Sequence, residues 1–273
     1  MGVLVNSMIS RVPLIELALA LMAMIPVGLG LGVSGVVFDA DVSPGESISH
    51  EMTVSLREGE MPLDLVVVVE DWNQSIDGAN QPQEEMAGHY IYSARSFLKA
   101  EPSKLHIDPG ESKKIVVRGD IPLDVGAGGR YALIGIYSIP EKAGEETENS
   151  VGVSVAVNAL VRLTISGTEI SKQGAITSMG MDDNCQNLSL VFKNEGNYHF
   201  KAGARALLKD SAGNILAKSS SPLSSNILPE ASRLFQLALV PEEELKQGSY
   251  FVNASVESED GTLLASKEIE IKL

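Results

Sequence analysis

The amino-acid sequence predicts an all-β protein made of two tandem β-sandwich domains that follow an N-terminal apolar segment. Three observations support this prediction. Hydrophobic residues alternate with polar ones along most of the chain, turn signals such as Pro-Gly and Asp-Gly separate the alternating runs, and one strand-and-turn pattern occurs twice. The 273 residues are enough for two domains of ordinary size.

Residues 1–35 are predicted to be a secretory signal peptide or an uncleaved membrane anchor. Within them, residues 13–33 are almost entirely apolar and follow Arg11, and small residues near Gly35 suit cleavage by a signal peptidase. The apolar run is long enough to cross a bilayer as an anchor, although Pro26 weakens a helix there. Both alternatives predict an exported protein, at the cell surface or extracellular.

The first domain is predicted to span residues 36–166. The stretch at 63–69 reads LDLVVVV, which is typical of a buried strand, and the stretch at 130–139 is rich in β-branched and aromatic residues. Across residues 151–165 every odd-numbered position is apolar, and a period of two over such a span has no helical interpretation. We therefore expect one long strand here, or a strand that changes sheets near Asn158.

The second domain is predicted to span residues 175–273, because the alternation breaks in SGTEISKQGA at 166–175. An internal repeat supports this division. The segment DPGESKKIVVRGDIP at 108–122 matches LPEASRLFQLALVP at 228–241, and each is followed at similar spacing by Gly-x-Tyr at the start of the next strand. A proline turn and a serine that bonds the backbone before each strand account for the repeated residues.

The tyrosines of the two Gly-x-Tyr elements, Tyr131 and Tyr250, are predicted to be structural corner residues. In immunoglobulin-like sandwiches, a tyrosine in this position bonds back across a corner through its hydroxyl, while its ring closes the end of the core. The sequence therefore predicts two tandem immunoglobulin-like β-sandwich domains after an N-terminal signal or anchor helix.

The composition argues against several classes of function. The formal net charge is −15, from 36 acidic and 21 basic residues, and an acidic surface repels the phosphate backbone of nucleic acid. Cys185 is the single cysteine, so no intrachain disulfide can form and the domains depend on their cores for stability.

Recognisable catalytic motifs are absent from the sequence. The histidines are scattered over both domains, and there is no His-Glu-x-x-His, Cys-x-x-Cys, Gly-x-Ser-x-Gly or nucleotide-binding glycine motif. The run Asp182, Asp183, Asn184 lacks the alternate spacing of a calcium loop, so we expect a solvated turn there. The sequence thus predicts a non-enzymatic protein without a cofactor or a metal.

The segment most typical of a binding site is DWNQSIDGANQPQEEMAGHYIY, at 71–92, a long polar stretch that begins at the only tryptophan. Trp72, Tyr90 and Tyr92 are candidate ligand contacts, and the alternative is that these aromatic side chains pack against the edge of the sandwich. Three sequons are candidate glycosylation sites in an exported chain: Asn73, Asn187 and Asn253.

Several stretches carry a resemblance to known families. In the first domain, DADVSPGES, LDLVVVVEDW, FLKAEPSKLHIDPGESKKIVVRGDIP and GGRYALIGIYSIP resemble PapD-like immunoglobulin folds and, in layout, the N-terminal domain of WxL-interacting surface proteins. In the second, NLSLVFKNEGNYHF and LLKDSAGNILA resemble a domain of prokaryotic surface proteins and CARDB-type adhesion modules. The resemblance covers about residues 36–273, and it implies the fold more specifically than an activity.

Two functions stay open from the sequence. The first is an exported, non-enzymatic cell-surface or envelope protein that binds a protein partner or a wall polymer through its immunoglobulin-like domains, with membrane anchoring through residues 13–33 if the leader is retained. The alternative is a chaperone-like protein that assembles secreted or surface subunits by strand addition. The long alternating stretch at 151–165 favours this alternative.

Overall fold

The regular structure of the described residues consists almost entirely of β-strands, as the alternation in the sequence predicts. The computed structural model describes residues 30–83, 90–126, 128–139, 155–166 and 169–273. The stretch before residue 30, most of the predicted leader, lies outside the described residues. Within them, helical structure is confined to a 3-10 turn at Arg95–Phe97, and no helix is long and apolar enough to cross a membrane.

The described residues up to 166 contain ten strands in two sheets. They are β1 (Leu31–Ser34), β2 (Val37–Val42), β3 (Ser47–Leu56), β4 (Leu63–Gln74), β5 (Asn80–Gln83), β6 (Leu98–Glu101), β7 (Lys104–Ile107), β8 (Ser112–Asp120), β9 (Gly128–Ser138) and β10 (Ala156–Ile165). One sheet has the order β1-β3-β8-β6. The other has the order β2-β10-β9-β4-β5, with β7 paired to the start of β4.

The described residues from 169 onward contain seven strands in two further sheets. They are β11 (Gly174–Met181), β12 (Asn187–Asn194), β13 (Ala202–Asp210), β14 (Ile215–Ser220), β15 (Ser232–Ala238), β16 (Ser249–Ser258) and β17 (Leu263–Lys272). The sheet orders are β11-β12-β15 and β14-β13-β16-β17.

Each half of the chain encloses its own hydrophobic core between its two sheets. Met52 and Ile134 belong to the first core, and Phe192 and Val252 belong to the second. The alternation explains this arrangement, since successive strand residues face opposite sides: in Ser249–Ser258 every second residue is buried. Full burial of each large aliphatic or aromatic side chain contributes about 1.5–3 kcal/mol, so these two cores stabilise the fold without disulfides.

The two proline turns of the internal repeat share one backbone geometry with the Ser-Pro-Gly-Glu turn at residues 43–46. Each is closed by a hydrogen bond from the N–H of its fourth residue to the carbonyl of its first. The third residue has a positive φ in every case, at Gly45, Gly110 and Glu230. A type II turn requires a positive φ at its third residue. The repeated sequence therefore corresponds to a repeated backbone conformation.

Strand β1 extends the first sheet into the sequence that was assigned to the leader. It pairs with β3, with Leu31 opposite Leu56 at one end. Just before it, the Gly30 N–H donates to Glu60 Oε1, and the Gly30 carbonyl accepts from the Arg57 N–H. Strand β1 therefore pairs within the first half ahead of residue 36, its predicted start, and cleavage near Gly35 would remove this strand.

Strand β10 lies in one sheet along its whole described length. It pairs antiparallel with β9 from Ala156 to Ile165, so no change of sheet occurs at Asn158. On its other side it pairs in parallel with β2, but only from Leu160 to Ile165. Residues 151–154, the start of the predicted long strand, lie outside the described residues.

Candidate functional site

The two halves of the molecule meet in a small hydrophobic cluster of Trp72, Tyr131, Leu133 and Leu228, called here the domain contact. All four side chains are buried, and the Trp72 ring lies edge-on to Tyr131 with 6.1 Å between centroids. The Trp72 indole N–H donates to Asn80 Oδ1 over 3.0 Å. Trp72, a candidate ligand contact in the sequence, thus lies inside the molecule, where it joins the two halves.

The period of β9 explains why aromatic side chains reach the domain contact. Ala132, Ile134 and Ile136 of this strand face the first core, so Tyr131 and Leu133 face the opposite side of the sheet. Nearly all of β9 is buried, because the core covers one face and the second half of the chain covers part of the other.

Tyr131 makes its hydrogen bonds across the domain contact and not across a corner of its own sandwich. Its hydroxyl accepts from the His199 backbone N–H over 3.0 Å and donates to His199 Nδ1, also over 3.0 Å. The physical reason is the outward direction of the side chain from β9. Tyr250 differs, since its hydroxyl donates to the Lys246 carbonyl four residues upstream, as expected of a corner tyrosine.

The side chain of Gln74 links the two halves through two hydrogen bonds. Its Nε2 donates to the Asn226 carbonyl over 2.9 Å, and its Oε1 accepts from the Leu228 N–H over 3.1 Å. A backbone bond from the Leu234 N–H to the Ile76 carbonyl, 2.8 Å long, lies beside them. Together these bonds satisfy backbone groups of the second half with groups of the first.

Tyr90 and Tyr92 lie at the border of the domain contact. The Tyr90 hydroxyl donates to the Pro229 carbonyl over 3.1 Å, and the two tyrosine rings meet edge to face at 5.6 Å. Burial raises the pKa of both phenols. The guanidinium of Arg130 lies 5.8 Å from the Tyr92 ring centre, at a distance typical of a cation–π contact. Residues 84–89 of the segment before them lie outside the described residues.

Arg233 is a buried cation between the halves that no sequence pattern indicated. One of its terminal nitrogens, Nη1, donates to Ser225 Oγ over 3.0 Å, while Nε and Nη2 have no partner among the described residues. Burial lowers the pKa of its guanidinium, and the charge of Asp77 opposes this effect. Gly78 in the turn above the guanidinium has a φ of +93°, which favours glycine, and a Cβ there would also displace Arg233 Nη1.

A polar cleft of about 260 Å³ opens beside the domain contact, between β2, β10 and the segment around His199. Arg162 binds Asp39 through two hydrogen bonds of 2.6 Å each, which raises the pKa of the guanidinium. Thr164 and Tyr198 complete the wall. Because Arg162 is already held by Asp39 and Asp41 also lines the cleft, the lining has a net negative charge.

Catalytic chemistry gains no support from the described residues. Among them, no group of three or more His, Cys, Asp or Glu side chains could hold a metal ion. The ring of His106 bonds Asp64 and Asp108, and that of His199 bonds Tyr131, so neither bonds a serine, threonine or cysteine that it could activate.

The three sequons occupy different settings. Asn187 is exposed at the start of β12, where its Nδ2 donates to Asp182 Oδ2 over 2.7 Å. Asn73 lies in β4 opposite Gln81, and Asn253 lies in β16 between β13 and β17. Asn187 thus presents its side chain to solvent more openly than the other two.

No protein-family model matches the sequence, and no curated protein matches it. Among solved structures, the chain is similar to the E. coli chaperone DraB, at 13% identity and a TM-score of 0.41, over 90% of this chain and 98% of that chain. It is similar to the class 5 fimbriae chaperone CfaA at 13% identity and a TM-score of 0.45, over 89% and 98% of the two chains.

A third similar structure is the Salmonella enterica SafA pilin in complex with the SafB chaperone, at 11% identity and a TM-score of 0.39, over 90% and 97% of the two chains. At these identities and TM-scores we draw no functional conclusion from the likeness. The resemblance to WxL-interacting proteins and CARDB-type modules stays a sequence-based expectation.

Proposed function

We propose that this chain is an exported, non-enzymatic protein that binds an extended segment of a partner protein by strand addition to β10, in the manner of a chaperone-like protein. The observation that supports the proposal is the uncovered edge of β10 at Ala156–Ala159. There β9 pairs with one side of the strand and no described strand pairs with the other. Strand addition requires a polypeptide backbone, so a protein partner is favoured over a wall polymer.

The direction of the backbone groups in β10 supports the same proposal. The Leu160 N–H donates to the Val36 carbonyl, on the side of β2. Because alternate residues of a strand direct their N–H and C=O to opposite sides, Asn158 and Ala156 direct theirs to that same side, beyond the start of β2. An added strand in line with β2 would satisfy these groups.

A binding surface at Trp72, Tyr90 and Tyr92 has less support. Trp72 is 2% exposed and packs within the domain contact. A partner would have to separate the two halves to reach it, whereas none of the described strands covers the edge of β10 at Ala156–Ala159.

A proline substitution at the uncovered edge of β10 tests the proposal of strand addition. Ala156→Pro removes one outward N–H at the exposed first residue of β10, a position where a sheet tolerates proline. Lys218→Pro is the matched control. It lies exposed on β14, the last strand of its sheet, and directs its N–H outward, because Ser221 three residues later donates inward to Ala204.

We expect a photo-crosslinker at position 156 to join the protein to a partner in cell-envelope fractions, and one at position 218 to give no such product. Ala156→Pro should weaken capture of that partner at least about fivefold, since a main-chain hydrogen bond contributes about 1 kcal/mol and the ring obstructs pairing. Lys218→Pro should leave capture unchanged. Equal capture by both proline variants, or no product from position 156, would count against strand addition.

A further inference from the structure

His199 joins the two halves of the molecule through its backbone and through its ring. The backbone N–H donates to the Tyr131 hydroxyl, and the ring Nδ1 lies 3.0 Å from the same oxygen. With the ring neutral and its proton on Nε2, Nδ1 accepts the hydrogen of that hydroxyl, so the arrangement suits a neutral imidazole. The ring also stacks on Tyr198, with 4.3 Å between centroids.

Charged groups from several elements face this ring. They are Arg162 of β10, Asp39 and Asp41 of β2, and Lys172 and Glu259 of the second half. Asp39 and Glu259 act to raise the pKa of the ring, but each already has a cation: Arg162 binds Asp39 at 2.6 Å, and Lys172 lies 3.2 Å from Glu259. Burial and the two cations outweigh these carboxylates. Burial lowers the pKa of His199 from its ordinary 6.5 to about 4, and Arg162 adds to this effect.

We propose that His199 is a pH-sensitive latch: protonation of its ring releases the domain contact while both hydrophobic cores stay folded. Protonated Nδ1 can no longer accept from Tyr131, so the buried phenolic hydrogen loses its partner. The new imidazolium also stands beside the guanidinium of Arg162. This inference concerns the domain contact and does not depend on strand addition at β10.

The direction of the pH effect follows from the two protonation equilibria. In the docked state the pKa of His199 is about 4, and in the released state it returns to the ordinary 6.5. Docking therefore has its full stability above pH 6.5 and weakens as the pH falls from there toward 4. Between pH 7 and pH 5 the equilibrium constant for docking should fall about 20-fold. Most carboxylates titrate below this interval, so a histidine is the group that responds within it.

Hydrogen exchange at amides that cross the domain contact measures this equilibrium directly. The amides of Leu228 and Leu234 donate across it to Gln74 and Ile76. We expect their protection factors, corrected for the intrinsic pH dependence of exchange, to fall about 20-fold between pH 7 and pH 5 in the wild-type chain. Amides in the middle of β16, such as that of Val252, should stay more strongly protected at both pH values.

The variant His199→Asn keeps an acceptor for the Tyr131 hydroxyl but has no proton to gain. It should abolish the pH dependence at the contact amides. The matched control is His106→Asn, since His106 is half exposed and bonds Asp64 and Asp108 far from the domain contact. This control should keep the wild-type pH profile.

Three results would overturn the proposal. The first is a protection factor at the contact amides of wild type that does not change with pH. The second is the same pH dependence in His199→Asn. The third is a single common exchange rate for contact and core amides, which would mean that the contact opens only when the whole chain unfolds. The wild-type measurement decides the matter even if a variant does not fold.

Discussion

Glu230 occupies a backbone conformation that side chains with a Cβ seldom adopt. Its φ is +65°, and it stands in the third position of a turn where Gly45 and Gly110 stand in the related turns. A residue with a Cβ costs about 1–2 kcal/mol in the left-handed region, because the Cβ approaches the next carbonyl oxygen. At the scale of the residue, then, the turn that contains Glu230 adopts the same conformation as the glycine turns but is less stable, because of this strain.

Replacing Glu230 by glycine should stabilise the chain. Removal of the strain stabilises the folded state, and the greater flexibility of glycine in the unfolded chain offsets part of this stabilisation. We therefore expect the free energy of unfolding to rise by about 0.5–1 kcal/mol. Urea denaturation measures it. The reciprocal variant is Gly110→Ala, at a φ of +79°, which should lower the same free energy by about 1 kcal/mol. If both variants shift stability in the same direction, the account of this turn is wrong.

At the scale of the element, β1 matters because it lies where the sequence predicted the end of a leader. Leu31 and Val33 pack against the first core, and β1 covers the edge of β3. Without β1 the backbone of β3 would be open at that edge, which is a template for pairing with other chains. The strand therefore stabilises the first half and protects it from association.

We expect a chain of residues 36–273 to be less stable than a chain of residues 30–273. The loss of two half-buried aliphatic side chains and of the ladder with β3 should cost about 2–4 kcal/mol. Denaturant unfolding compares the two chains, and light scattering reports whether the shorter one associates. Equal stability would mean that β1 is dispensable.

The same strand leads to an expectation about processing. If a leader is removed during export, the mature N-terminus should lie at or before Gly30, because Gly30 itself bonds Glu60 and Arg57. Mass spectrometry of the exported protein would test this. A mature chain that begins after Gly35 would contradict it.

At the scale of the whole molecule, Gln74 shows how the two halves are held together. Its carboxamide satisfies the Asn226 carbonyl and the Leu228 N–H, and it is 9% exposed. Buried backbone groups without a partner cost about 1–3 kcal/mol, so such bonds decide whether a contact between domains is stable. The bonds of Gln74 add to those that Tyr131, Tyr90 and Ile76 make with the second half.

Gln74→Ala should loosen the domain contact by about 2 kcal/mol, since it leaves both backbone groups without their partner. Trp72 is the single tryptophan and lies within the contact, so its fluorescence and its quenching by acrylamide report the loosening. The far-ultraviolet circular dichroism should stay unchanged. The control Gln81→Ala removes an exposed carboxamide from β5 and should leave Trp72 shielded. Similar quenching in both variants would show that Gln74 does not hold the contact.

Local patterns account for most of the fold. The β-branched and aromatic residues at 130–139 and the alternation at 151–165 predicted strands, and β9 and β10 lie there. The positions of the proline turns also follow from the sequence, because a turn depends on the backbone conformations that its own few residues can adopt. A nearly continuous apolar run such as that at 130–139 is typical of a strand covered on both faces, but it does not identify the residues that cover each face. It therefore left open what covers the outer face of β9.

The sequence by itself determined that this protein is all-β, that its strands form two repeated halves, and where its turns lie. The tertiary structure decided that Trp72 is buried, that Tyr131 bonds His199 and that Arg233 lies between the halves. The physical reason is distance along the chain. Tyr131 and His199 are 68 residues apart, and Gln74 and Leu228 are 154 apart. Alternation and turn chemistry act over a few residues, whereas these contacts depend on how the two halves pack against each other.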